Sequence, residues 1–203
     1  MSSQFWPQIS FSIKMVDQMI DKASKMNLTA SKASELRDSI LGQLHYLRDN
    51  LQGALEDNYI SLILFALAAS LDEEIQPIIL NSEALHWPPL TRDVSGDFNA
   101  GDDFYQRIDY IIENPKTPLI VYEIFYYALK RGFKGTHRNS KVQIVKYLDL
   151  LSSQIPENST PPEPEPEIIR KQVGRIKRKS IYYVASCALV AFGFIALRLY
   201  SNL

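Results

Sequence analysis

The sequence predicts an all-α protein, with a body of about six to eight helices and a single transmembrane helix at the C-terminal end. Across residues 10–153 apolar side chains recur at three- and four-residue steps, without the sustained alternation of a half-buried strand. Glycine is scarce, 8 residues in 203, so the periodic segments have few internal breaks. Near the end, Ile181–Leu197 reads IYYVASCALVAFGFIAL, with Ser186 as its polar member. Arg198, Leu199 and Tyr200 extend it to about 20 residues, which at 1.5 Å per residue spans a hydrocarbon core of roughly 30 Å.

The body reads as helices in sequence. The first runs over about 10–26, with Phe11, Met15, Met19 and Ile20 on its apolar face. The second starts near Ser31, and its Leu36, Ile40, Leu44, Leu47, Leu51 and Leu55 form the clearest amphipathic stripe in the chain. The third, about 59–75, is apolar nearly all round (ISLILFALAASL) and belongs at the centre of the body, with Pro77 closing it. An irregular segment with Trp87, Pro88 and Pro89 follows, then a fourth helix over about 102–112 that stops at Asn114-Pro115. A fifth runs from Pro118 in its first turn to Gly132 as its stop. The last, about 140–153, turns Val142, Val145, Leu148 and Leu151 inward.

Three regions result: a helical domain over 1–153, a linker and collar over 154–179, and an anchor over 180–203 with a very short tail on the far side. Residues 154–167, QIPENSTPPEPEPE, combine prolines that lack backbone donors with mutually repelling glutamates, so an extended spacer is expected. Arg170, Lys171, Arg175, Lys177, Arg178 and Lys179 crowd the near side of the span, whereas Arg198 is the one charge beyond it. That asymmetry predicts a cytoplasmic body and a far-side C-terminus, and the collar suits anionic membrane lipid. Ala185, Ala188 and Ala191, with Gly193 and Ala196, offer small-residue spacing for self-association through the anchor.

Charge and composition narrow the function classes. Residues 1–153 carry 15 Lys/Arg against 19 Asp/Glu, a net charge of −4 that argues against nucleic acid as a partner. The one cysteine, Cys187, lies within the apolar run, so neither an intrachain disulfide nor a thiolate zinc site is expected. His45, His86 and His137 lack ligand spacing to other metal-binding residues, and no phosphate loop or nucleophile elbow occurs. No catalytic residue, cofactor or metal is predicted.

Two groups of residues are candidates for binding. Asp72, Glu73 and Glu74 fall at the predicted C-terminal end of the third helix, where the macrodipole disfavours an anion by about 0.3–1 kcal/mol. Either they cap or pair with neighbouring elements, or they line an acidic groove for a basic partner. Gly132 and Gly135 bracket Phe133 and Lys134 in a spacing that ends a helix and turns the chain sharply.

Three patches carry a family resemblance. They are Phe65-Ala66-Leu67-Ala68-Ala69-Ser70-Leu71-Asp72-Glu73; then Trp87, Leu90 and Ala100-Gly101-Asp102-Asp103-Phe104-Tyr105; and then Tyr122-Glu123-Ile124-Phe125-Tyr126-Tyr127-Ala128-Leu129 running into Lys130-Arg131-Gly132-Phe133-Lys134-Gly135. In order and spacing they resemble the DotU/TssL family, inner-membrane subunits of type VI secretion machines with a relative in type IVB systems. Thr136 and His137 depart from the pattern, standing where a tyrosine usually follows. The resemblance implies two small helical bundles and a non-enzymatic subunit of the bacterial inner membrane, linking the membrane complex to a cytoplasmic baseplate. The implied partners are an IcmF/TssM-type membrane protein and baseplate subunits. It favours partner docking for Asp72 and Glu73, a contact role for Lys134, and a buried anchor at Phe133. With so few residues after the span, direct cell-wall anchoring is not expected. The rival reading is a tail-anchored adaptor or receptor for a soluble partner outside secretion.

Overall fold

The computed structural model describes residues 4–82, 86–96, 100–157 and 159; the rest of the linker, the basic collar and the predicted span lie outside the described residues. Among the described residues seven α-helices follow one another: α1 (Trp6–Ser24), α2 (Ala30–Leu51), α3 (Asp57–Leu80), α4 (Leu90–Ser95), α5 (Ala100–Glu113), α6 (Leu119–Lys130) and α7 (Lys141–Ser152). A 3-10 turn (Gly135–His137) joins α6 to α7, and there is no strand among the described residues. No described helix is long and apolar enough to cross a membrane.

The centre is α3, as its composition predicts. Every residue from Leu62 to Leu71 is buried, so the helix has no solvent face over nearly three turns. It packs against α1, α2, α4, α5 and α6. The buried side chains around it form one cluster from Trp6 to Leu151. Phe104 of α5 is fully buried within it, with ring centroids 4.2 Å from Phe133, 4.9 Å from Phe125 and 6.4 Å from Phe65.

Several boundaries and faces differ from the sequence expectation. Helix α1 begins at Trp6, with Pro7 in its first turn where a missing N–H costs nothing. Its inward stripe is Trp6, Ile9, Val16, Ile20 and Ala23. Phe11, two residues and thus about 200° round from Ile9, is 54% exposed, and Met15 and Met19 lie half-buried at the margin of the stripe. Helix α3 continues past Pro77 for a final turn, in which the Pro77 carbonyl accepts from Asn81 N (3.2 Å) and Asn81 Nδ2 (2.8 Å). Asp72, Glu73 and Glu74 therefore lie inside the helix, and the macrodipole penalty expected at a terminus does not fall on them. On α7, Val142 (78%) and Val145 (53%) face solvent. The half-buried Ile144, Tyr147 and Leu148, with the buried Leu151, form the inward i, i+3, i+4, i+7 stripe.

Helix α4 occupies the segment expected to be irregular, and other elements hold it in place. Arg37 of α2 donates from Nε to the Pro88 carbonyl (2.8 Å) and from Nη2 to that of Pro89 (3.3 Å), and pairs with Asp93. Arg48 donates from Nη2 to the Val94 carbonyl (2.9 Å). Gly96, at φ 77°, closes the helix, its N–H meeting the Arg92 carbonyl at 2.9 Å.

Candidate docking site

Successive residues on a helix point about 100° apart, so three adjacent carboxylates must face three different neighbours. Asp72 faces α4. It accepts from the backbone N–H of Leu90 (2.9 Å) and Thr91 (3.2 Å) and from Trp87 Nε1 (3.1 Å), capping from another element the orphan donors of the α4 N-terminus. Burial pushes its carboxyl above the usual aspartate value, opposed by those three hydrogen bonds and by the Arg37 charge.

Glu73 faces the loop after α6. Its Oε2 accepts from the backbone N–H of Lys134 (3.1 Å) and Gly135 (3.0 Å), while Oε1 meets Arg138 Nη2 at 3.4 Å. Its side chain is 19% exposed, so the contact lies at the edge of the body.

Glu74 faces α6 and α1 through Arg131. The guanidinium donates to Glu74 Oε2 (2.6 Å from Nη2, 3.1 Å from Nε) and to Asp17 Oδ2 (3.1 Å). Burial acts to lower the Arg131 pKa, but the two carboxylates outweigh it and raise the group further, so it stays charged at every accessible pH.

The loop that Glu73 grips is fixed from its other side as well. Helix α6 ends in a Schellman arrangement, with Phe133 N bonded to the Ala128 carbonyl and Gly132 N to that of Leu129, both at 3.1 Å. Gly132 has φ 111° and Gly135 φ 49°. A Cβ on Gly135 would stand 2.9 Å from the Gly101 carbonyl oxygen and 3.0 Å from the Phe133 ring, so neither conformation nor space admits a side chain there. Phe133 is 5% exposed and packs on Phe104 as an anchor. Tyr105 Oη donates to the Lys134 carbonyl at 2.9 Å, and burial pushes the Tyr105 phenol well above its usual range, with Glu73 adding to the effect. His137 fills the departure from the family pattern by lying against Tyr105 (centroids 4.2 Å) and Tyr147 (5.9 Å). Thr136 Oγ1 donates to the Gly101 carbonyl at 3.4 Å.

Of the six body residues singled out from the sequence, the structure brings Glu73 onto the loop of Gly132, Phe133, Lys134 and Gly135, whereas Asp72 is turned away from it toward α4. Of the two readings weighed for the carboxylates, capping and ion pairing match the geometry, with α4 and the loop standing where an acidic groove was expected. Lys134 is exposed, as are Lys130, Arg138 and Lys141 around it. Sequence reasoning missed Asp17 and Arg37, whose partners are 114 and more than 50 residues away. It also gave no role to Glu123, although a lone carboxylate within LIVYEIFYYAL is itself a signal, because a buried charge needs partners. Among the described residues no cluster of His, Cys, Asp or Glu has the makings of a metal site.

Comparison with known proteins agrees with this architecture. The chain is similar in structure to DotU from Francisella novicida (TM-score 0.65, 17% identity, 74% of this chain and 99% of that one). It is also similar to SciP/TssL of the type VI system of enteroaggregative Escherichia coli 042 (0.58, 22%, 81% and 94%) and to the cytoplasmic domain of TssL from Acinetobacter baumannii (0.59, 18%, 75% and 99%). At these identities the likeness shows a shared fold. No curated protein is matched by sequence. The family model for the type VI secretion system protein DotU matches residues 13–201, almost the full length, and the chain therefore belongs to the DotU family.

Proposed function

We propose that this structural component of a type VI secretion system is a single-pass inner-membrane subunit whose cytoplasmic body docks baseplate proteins through the Gly132–Arg138 loop. The observation that carries the docking surface is the loop itself, exposed at Lys134 yet fastened by Glu73, Tyr105 and Phe133. A contact presented on a rigid frame loses little entropy when a partner binds. In this reading Asp72 and Glu73 hold the frame, and Lys134, with Arg138 and Lys141 nearby, meets an acidic surface.

Membrane attachment is supported by the family match, which extends through the basic collar and the apolar run to residue 201. The collar would lie on anionic lipid, and the span would contact the large IcmF/TssM-type membrane protein and a second copy of itself. The work is binding, without turnover.

Lys134→Glu tests the docking face. It should leave far-UV circular dichroism and melting temperature unchanged while weakening capture of an acidic baseplate partner by about tenfold, as reversal of a contact charge does. Unchanged capture would move the docking face elsewhere. Separately, a chain lacking 181–203 should leave the membrane fraction; a truncated chain that stays there counts against the anchor.

A further inference from the structure

Glu123 lies in α6 with 0% exposure, one of few polar side chains inside the core. Its two oxygens reach groups far apart in the sequence, 117 residues before it and 36 after it. Oε2 accepts from the indole Nε1 of Trp6, in the first turn of α1, at 2.8 Å. Oε1 accepts from the hydroxyl of Ser159, seven residues beyond the end of α7, at 3.1 Å. Ser159 is itself 2% exposed. Between α7 and Ser159 the backbone turns stepwise: Gln154 N bonds to the Leu151 carbonyl (3.0 Å), Ile155 N to that of Ser152 (3.1 Å), and Ser159 N to that of Pro156 (2.8 Å). Ile155 packs against the core on the way. The extended spacer expected from residue 154 is therefore not what the described residues 154–157 and 159 form.

We propose that Glu123 is the fastening point of the segment that follows α7, its carboxylate seating Ser159 beside Trp6, so that load reaching Ser159 passes into α6 and α1. A carboxylate suits the task because its two oxygens accept from both groups at once, where an amide offers one acceptor and an alkyl side chain none. Burial adds to the hold. Once Ser159 leaves, the oxygen it covered loses a donor in a site shielded from water, so release is opposed by more than the loss of one exposed hydrogen bond. Trp6 shares the same carboxylate, so disturbance of the Ser159 seat reaches the start of α1. This fastening is a property of the body and holds with or without the proposed span.

The test uses the full-length chain in detergent micelles, read by amide hydrogen exchange and by the Trp6 indole N–H resonance. Ser159→Ala should speed exchange of the 154–159 amides by about tenfold or more and shift the Trp6 indole signal, while α3–α5 amides keep their protection. Ser159→Thr, which keeps the hydroxyl, should behave as the parent does. Glu123→Gln should act in the same direction as Ser159→Ala. If Glu123→Gln disturbs the whole fold, Ser159→Ala decides alone. Unchanged 154–159 exchange in Ser159→Ala, or an unmoved Trp6 signal, would overturn the proposal.

Discussion

Gly135 and Asp72 set the loop and α4 by different physics, and each makes a separate prediction. At Gly135 the constraint is steric: a positive φ together with a backbone oxygen and an aromatic ring in the space of a Cβ. Gly135→Ala should lower unfolding free energy by about 2–4 kcal/mol, the sum of backbone strain and overpacking, as measured by urea denaturation. At Asp72 the constraint is electrostatic. Its folded pKa lies above the unfolded value of 3.8, so between the two the native state holds more protons than the unfolded one. The stability contributed by this titration is fully present below the unfolded value and is lost as pH rises through the folded one. Asp72→Asn removes that component of the profile, and its side-chain N–H₂ sets a donor among donors. The variant should be less stable by about 0.5–2 kcal/mol at neutral pH, as for a lost helix cap, with denaturant melts between pH 4 and 7 reporting both effects.

Helices with a long internal pattern were legible in the sequence. The Leu36–Leu51 stripe of α2, the all-round apolar character of α3 and the Pro118-to-Gly132 frame of α6 all come from repeats and caps within one segment. Helix α4 was not legible, because six residues with two prolines before them have too little local pattern, and the side chains that stabilise them come from α2 and α3. The inward faces of α1 and α7 were misjudged because Phe11, Val142 and Val145 are as apolar as the residues that pack; only the neighbours distinguish them. For the candidate docking site, Glu73 and the Gly132–Gly135 loop were legible in the sequence, whereas their mutual contact comes from the fold. Arg37→Met should loosen α4 selectively, with faster amide exchange over 90–95 and a stability loss of about 1–3 kcal/mol from the stranded carbonyls and Asp93. Arg131→Met, leaving Asp17 and Glu74 without their shared cation, should cost about 2 kcal/mol, below the 3–5 kcal/mol of fully buried pairs because both carboxylates are about one-third exposed. Chemical denaturation of the purified body measures both.

Across the molecule, α3 acts as the common axle. Because Asp72, Glu73 and Glu74 leave it in three directions toward α4, the loop and the α1/α6 pair, turning α3 about its own axis by even a fraction of a turn would strain three attachments simultaneously. Twisting α3 is thus a stiff mode. A push delivered at Lys134 should be carried across the whole body as a rigid displacement, without first deforming the loop, so this body would relay position instead of absorbing it.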